Sequence, residues 1–368
     1  MRPMRRQLFC TGLTVLLLLL GIVGICLNAS ASLTPSAINV PNDYPTVQEA
    51  IDAANPGDTI HVQSGIYSEH VAVNKPNLTL VGESRFNTVI NGEGEGEVIA
   101  LKASYANITE FTVAHGYTGI QMYPWTHGHE IAGNIITENE FGIRGHYDVH
   151  DITIANNTIL SNSFIGVEMC FYKSKVTGNV ISYNGWREFV ELSAGIEIAE
   201  AVYDTTIHSN NNTVTENIIE GNFNGVLPIR YSERNVFSHN TFKNNTNNVF
   251  LSDSSSMSKN TVEENYWSDY SGQDGNGDGF GDTPYWFNDQ SKDAHPLMSP
   301  YRYWSAPIVG DVNRNMRVDI VDLAIAGRAF GSSPSYPSWI PNGDINKDDT
   351  IDIRDLVLVA KNFGKIYV

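Results

Sequence analysis

The middle of the chain is written in short phrases that repeat. GIQMY, GIRGH, GVEMC, GIEIA and GVLPI begin at Gly119, Gly142, Gly166, Gly195 and Gly225, at intervals of 23, 24, 29 and 30 residues. Each sets an apolar side chain directly after the glycine. A second phrase, NIIT, NTIL, NVIS, NIIE and NTFK, begins at Asn134, Asn157, Asn179, Asn217 and Asn240, at intervals of 23, 22, 38 and 23. Short β-branched runs without helical spacing predict strands. Several strands per period of about 22 residues predict a solenoid, here a parallel β-helix. Equivalent asparagines then stack on successive coils, where their amides bond along the stack.

Upstream, VPNDYPTVQEAIDAANPGD predicts one short helix. Thr46 and Glu49 are spaced as a capping box. Val47, Ala50, Ile51 and Ala54 share a face, and Asn55-Pro56-Gly57 ends it. Such a helix covers the first coil, whose open edge otherwise pairs with other chains. TIHV, HVAV, LTLVGE and TVING follow as strands. The expected division is 1–31 leader, 32–299 β-helix, 300–309 linker and 310–368 a small α-helical module.

Composition narrows the class. The 368 residues carry a formal charge of −18. That argues against a nucleic-acid surface, which needs clustered Lys and Arg. Arg2, Arg5 and Arg6, an apolar run and Ala29-Ser30-Ala31 form an export signal. The run Leu8 to Leu27 also has the length of a retained anchor, the one route to a membrane that the sequence offers. Cys10 and Cys26 lie in the leader, so Cys170 stands alone and no intrachain disulfide forms after cleavage. It reads as a small packed residue or a surface thiol. Sequons occur at Asn77, Asn107, Asn156, Asn211 and Asn244.

Near the C-terminus DVNRNMRVDIVD (311–322) returns as DINKDDTIDIRD (344–355), an offset of 33. DLAIAGRAFG and DLVLVAKNFG extend the match. A 12-residue loop offers a hard cation oxygens from positions 1, 3, 5, 7, 9 and 12. Loop one supplies Asp311, Asn313, Asn315, the Arg317 carbonyl, Asp319 and Asp322. Loop two supplies Asp344, Asn346, Asp348, the Thr350 carbonyl, Asp352 and Asp355. Calcium is the expected ion, two in all. Position 6, a sharp turn, is Met316 in one loop and Asp349 in the other. Asp tolerates a left-handed backbone better, and loop two has one more acid, so it is expected to bind more tightly. A third candidate site is DGNGDGFGD, with Asp274, Asn276, Asp278, the Phe280 carbonyl and Asp282. Asp289 or Asp293 stands in for the missing twelfth ligand.

The Gly phrases also define an outward strip. With Ile120, Ile143, Val167, Ile196 and Val226 inward, Gln121, Arg144, Glu168, Glu197 and Leu227 face out, followed by Tyr123, His146, Cys170, Ala199 and Ile229. Two carboxylates on adjacent coils can serve a glycoside as acid and nucleophile. Alternatively Arg144 neutralises a uronate while His146 or Tyr123 moves protons. A satisfied Arg–Glu ladder without turnover is the competing reading. The long interval after Asn179 contains GWREFVELSAG, a candidate binding loop in which Trp186 either stacks on a sugar or packs. His115, His127, His129, His146 and His150 fall in one region, where a transition-metal site is conceivable.

The repeat, and above all NYWSDYSGQDGNGDGFGDTPYWF…DAHPLMSPY (265–301), resembles the right-handed β-helix of the NosD-like periplasmic family, a label that mentions copper. The segment from Thr46 also looks like pectin methylesterases, but the paired Asp, Arg and Gln motifs of that esterase family do not occur. The duplicated loops resemble a dockerin type I module. That resemblance implies a calcium-dependent plug for a cohesin partner, with Ile320, Val321, Ile353 and Arg354 facing it and an approximate twofold symmetry permitting two orientations. Two functions follow as expectations: a carbohydrate-active enzyme (hydrolase, lyase or epimerase), or a non-catalytic surface protein that binds polysaccharide or glycan. Both are secreted or at the cell surface. A copper-associated role is the third.

Overall fold

A computed structural model describes residues 36–186, 192–199, 209–228, 232–251, 257–301, 309–312, 318–334, 336, 339, 343–346 and 348–365. The leader, and the part of the insertion following Trp186 up to residue 191, lie outside the described residues, as do Asn313, Asn315, Met316, Arg317 and Ile229. Ala37–Val368 form a unit separate from Met1–Ser36.

The solenoid opens with a strand, Ala37–Val40, paired in parallel with Thr59–Val62, and helix α1, Val47–Ala53, follows it. Thr46 Oγ1 accepts from the Glu49 N–H at 3.1 Å. The Val47 and Gln48 N–H groups donate to the Glu69 carboxylate, at 3.0 and 2.9 Å. Val47, Ala50, Ile51 and Ala54 are buried against the first coil.

Each coil then adds one strand to each of three parallel sheets, as in Thr153–Ala155, Thr158–Leu160 and Ile165–Met169. The sheets hold ten, nine and eight of the described strands. The solenoid is right-handed, with about nine turns. Register keeps like on like: Ile154 pairs with Val176, Ile159 with Ile181, Val167 with Ile196. Ile120, Ile143, Val167 and Ile196 are fully buried, as their phrases predict. The glycine that precedes each is required by close approach. A Cβ on Gly166 would lie 2.6 Å from the Gly195 carbonyl oxygen and 3.0 Å from Asn184 Nδ2.

The asparagines form ladders inside the corners. Asn134, Asn157, Asn179, Asn217, Asn240 and Asn265 make one column, each Nδ2 donating to the next Oδ1 at 2.9–3.1 Å. The same Oδ1 also accepts the neighbour's backbone N–H, as Asn179 does from Asn157 at 2.9 Å. Asn139, Asn162, Asn184, Asn222 and Asn245 make a second column. Ser174, Asn212, Asn235 and Asn260 make a third. In a dry corner each unmade bond costs about 1–3 kcal/mol, so the columns fix coil register. Asp293, fully buried, ends the first column. It accepts from Asn265 N–H, Trp267 Nε1 and Glu264 N–H at 2.9, 3.0 and 3.1 Å. Beside it Phe242, Trp267 and Tyr285 stack as a closing plug.

The C-terminal module has two helices, α2 (Ile320–Arg328) and α3 (Ile353–Lys361). Both begin two residues before the conserved-offset Asp-Leu pair, because Asp319 and Asp352 cap them and Asp322 and Asp355 complete capping boxes. Val312, Val318, Ala326 and Val359 form a buried apolar cluster, and Ala329 and Ile351 are buried as well. The halves are tied reciprocally: Gly364 N–H donates to the Val318 carbonyl at 2.8 Å, and Gly331 N–H donates to the Ile351 carbonyl at 2.8 Å.

His129 takes a ladder-like place one corner earlier, its Nδ1 accepting the Ala106 N–H at 3.2 Å. Its Nε2 is buried without a hydrogen bond, and burial, with His127 nearby, holds its pKa at about 4. A neutral imidazole is therefore built into the fold. Unfolded chains bind that proton from about pH 6.5 downward, so this residue's stabilising contribution is complete above 6.5. It is lost as pH falls toward 4, by about 3 kcal/mol. Chemical denaturation across that range should give a stability slope against pH that is more positive in the wild type than in His129→Asn, which keeps the acceptor, the difference between the two being this residue's contribution. Separately, Asn179→Ala should lower stability by about 3 kcal/mol or more. Asn156→Gly, at an exposed left-handed corner (φ 55°), should stay within about 0.5 kcal/mol.

Candidate functional site

Parallel pairing brings the predicted strip together. Gln121, Arg144, Glu168, Glu197 and Leu227 are consecutive partners across five coils. They face outward but are not open. Gln121, Glu197 and Leu227 are buried, Glu197 only 9% exposed. The expectation of an exposed ladder is corrected accordingly: the outer surface of this sheet is covered, and Arg144, second in the row, is its more accessible member, its side chain 31% exposed.

Arg144 is committed to Glu168. Nη2 donates to Oε1 at 3.4 Å, and Nε makes a close ion pair with Oε2. The guanidinium also lies over the Phe141 ring, 4.4 Å from its centroid. Glu168 Oε2 has charge contact without a well-formed hydrogen bond. Burial raises the Glu168 pKa against the opposing pull of Arg144. Glu197 is pushed to about 8, by burial first and by the Glu168 charge second. At neutral pH Glu197 is thus the protonated acid of the cluster.

The second row differs from residue to residue. Tyr123 is half-buried, its hydroxyl 3.4 Å from Glu97 Oε1 and its ring beneath Lys102 Nζ at 4.9 Å. His146 packs edge-on to Tyr147, and burial and Arg144 lower its pKa. The Cys170 thiol is raised to about 12, chiefly by burial, which makes it a poor nucleophile. Ala199 is buried. Trp186 is exposed.

The five histidines do not converge. His115 pairs with Glu138 at 3.2 Å, and His129 is internal. His127 stacks on His150 from the next coil, centroids 4.9 Å apart. Among the described residues no three His, Cys, Asp or Glu side chains gather as a metal set.

The acidic loops are better formed. In loop two Asp344 Oδ1 accepts Asp348 N–H at 3.1 Å and Oδ2 accepts Asp349 N–H at 2.8 Å. Asp349 is left-handed, φ 64°, as its type allows. Asp355 is fully buried and accepts the Ile345, Asn346 and Asp352 N–H groups. The donor set is all oxygen, which fits a hard cation such as calcium. The Asp274 loop repeats the arrangement. Asp274 accepts Asp278 N–H at 3.1 Å and Gly279 N–H at 2.9 Å, and Asn276 Nδ2 donates to Asp278 at 3.0 Å, as Asn346 does to Asp348. Asp293 is occupied by the ladder and cannot close this loop. Of loop one, Asp311, Asp319 and Asp322 are described. Ile320, Val321 and Ile353 are exposed large apolar residues.

A parallel β-helix followed by a small module of two capped helices with acidic loops is the class these features define. Residues 51–272 match the family described as periplasmic copper-binding protein (NosD), and residues 309–364 match the dockerin type I domain. The first match spans more than half of the chain, which belongs to the NosD family. Dockerin type I domains bind calcium in general. Among curated proteins, probable pectinesterase/pectinesterase inhibitor 17 of Arabidopsis thaliana is 33% identical over 81 residues, 21% of this chain and 16% of that protein. The match thus spans about a sixth of that relative's length. Among solved structures, alginate lyase from Paenibacillus sp. str. FPU-7 is 14% identical, covering 62% of this chain and 91% of that one, TM-score 0.45. Pectin methylesterase from carrot is 14% identical, covering 64% and 83%, TM-score 0.36.

Glu197 gives a direct check. Its folded pKa, about 8, exceeds the unfolded value of 4.5, so its stabilising contribution is complete below 4.5 and is lost as pH rises through 8. The protonated-carboxyl infrared band should titrate near 8 and vanish in Glu197→Gln, whose stability should fall less, or rise more, than that of the wild type as pH increases over that interval.

Proposed function

We propose that this is an exported surface protein whose β-helix binds polysaccharide and whose dockerin holds it, through calcium, on a cohesin-bearing partner. The observation that carries binding over turnover is the closed Arg144–Glu168 pair beside the buried Glu197. A hydrolytic pair with a water between its carboxyls needs access that this strip lacks. The dockerin supports attachment, and the local likeness to a pectinesterase agrees with a polysaccharide ligand. The two dockerin loops each hold one calcium, with Ile320, Val321, Ile353 and Arg354 toward the cohesin. Asp274, Asn276, Asp278, the Phe280 carbonyl and Asp282 hold a third ion that stiffens the end of the solenoid.

One observation favours a second reading. Glu197, kept protonated near neutrality, is the kind of carboxyl that donates a proton to a glycosidic oxygen. Glu168 would be its charged partner, Arg144 the counterion of a uronate, and His146 or Tyr123 a proton carrier.

The test is a polysaccharide panel with the full chain in calcium, following binding, new reducing ends and unsaturated-sugar absorbance. A Glu168→Gln/Glu197→Gln variant runs in parallel. Binding without product is expected. Product that disappears in the variant would replace the binder with the enzyme. No binding to any member would remove polysaccharide from the reading altogether.

A further inference from the structure

The dockerin halves follow one offset, but at the docking face they part: Val321 in the first half becomes Arg354 in the second. Arg354 does not stand free. Its Nη2 lies 2.6 Å from both Asp348 Oδ2 and Asp352 Oδ2, and its Nε donates to Asp352 Oδ2 at 3.0 Å. Asp348 and Asp352 hold positions 5 and 9 of loop two. The guanidinium therefore bridges two carboxylates of the oxygen set assigned to the cation. A valine has no such reach.

We propose that Arg354 is an internal competitor for the cation in loop two, and that filling the loop releases its guanidinium onto the docking face beside Ile353. This rests on the calcium reading of the loops. The charge logic is local. A divalent ion and a guanidinium both need the Asp348 and Asp352 lone pairs, and a positive head group beside the ion is repelled by it. Exposed ion pairs are weak, so the competition is modest, and salt screens it. Two consequences follow. The extra acid of loop two does not translate into tighter binding. The first half presents an apolar face whatever its metal content, while the second gains a free cation only when filled. A partner offering a carboxylate next to an apolar patch would then tell the two halves apart.

The experiment titrates calcium into the full ¹⁵N-labelled chain at low salt, reading loop two at the Asp349 and Ile351 amides and loop one at Val318. Arg354→Gln should move the loop-two midpoint to about threefold to tenfold lower calcium. Val321→Arg should move the loop-one midpoint the opposite way. In the wild type the Arg354 side-chain N–H resonance should shift as loop two fills. A loop-two midpoint unchanged by Arg354→Gln, or an Arg354 resonance indifferent to filling, overturns the proposal and leaves the calcium reading intact. Silence at both loops overturns that reading and the proposal with it.

Discussion

Everything in the solenoid depends on amides buried where the chain turns. A parallel β-helix has to bend its backbone at three corners per coil, and bent backbone leaves N–H and C=O groups outside the sheet ladders. Here asparagine side chains take those groups. Asn179 accepts the Asn157 backbone N–H and donates to the Ile154 and Thr177 carbonyls as well as to Asn217. An apolar residue of the same size would fill the space and leave these groups unpaired. The glycine column, the inward isoleucines and the register of the outer strip all follow from where these corners sit.

The same constraint shapes what lies outside. Asn156, Asn211 and Asn244 sit at left-handed corners, each directly before a ladder asparagine and two before a threonine. The backbone there favours asparagine, the ladder favours asparagine, and at Thr158 and Thr213 the strand favours threonine. The sequons at these three places are therefore written by the fold, whatever use a glycosylation pathway makes of them.

Legibility was uneven for physical reasons. The core isoleucines and the first ladder were readable because each holds a fixed place in a phrase that repeats. The second and third ladders were equally present, as asparagine five residues after asparagine in 134/139, 157/162 and 212/217, but their neighbours are less regular. Burial of Glu197 was not readable. Strand parity tells which way a side chain points and not what covers it. The fate of Asp293 was likewise hidden, since an acid near a glycine-rich acidic loop looks like a ligand until the coil above it is placed. The dockerin loops were readable because cation ligation fixes residue type and spacing together, whereas the reach of Arg354 is a matter of rotamer.

Each amide in the first column both gives and receives, so the column has a direction. Every amide-to-amide bond runs from the Nδ2 of one rung to the Oδ1 of the next toward the C-terminal end, and these dipoles add as peptide dipoles do along a helix. A row of that kind needs a terminus that only receives. Asp293 is that terminus, a negative group at the positive end of the row, accepting from Asn265 on the last rung. The solenoid therefore has a polarity written in its interior, and its length is set by the point where a carboxylate replaces an amide.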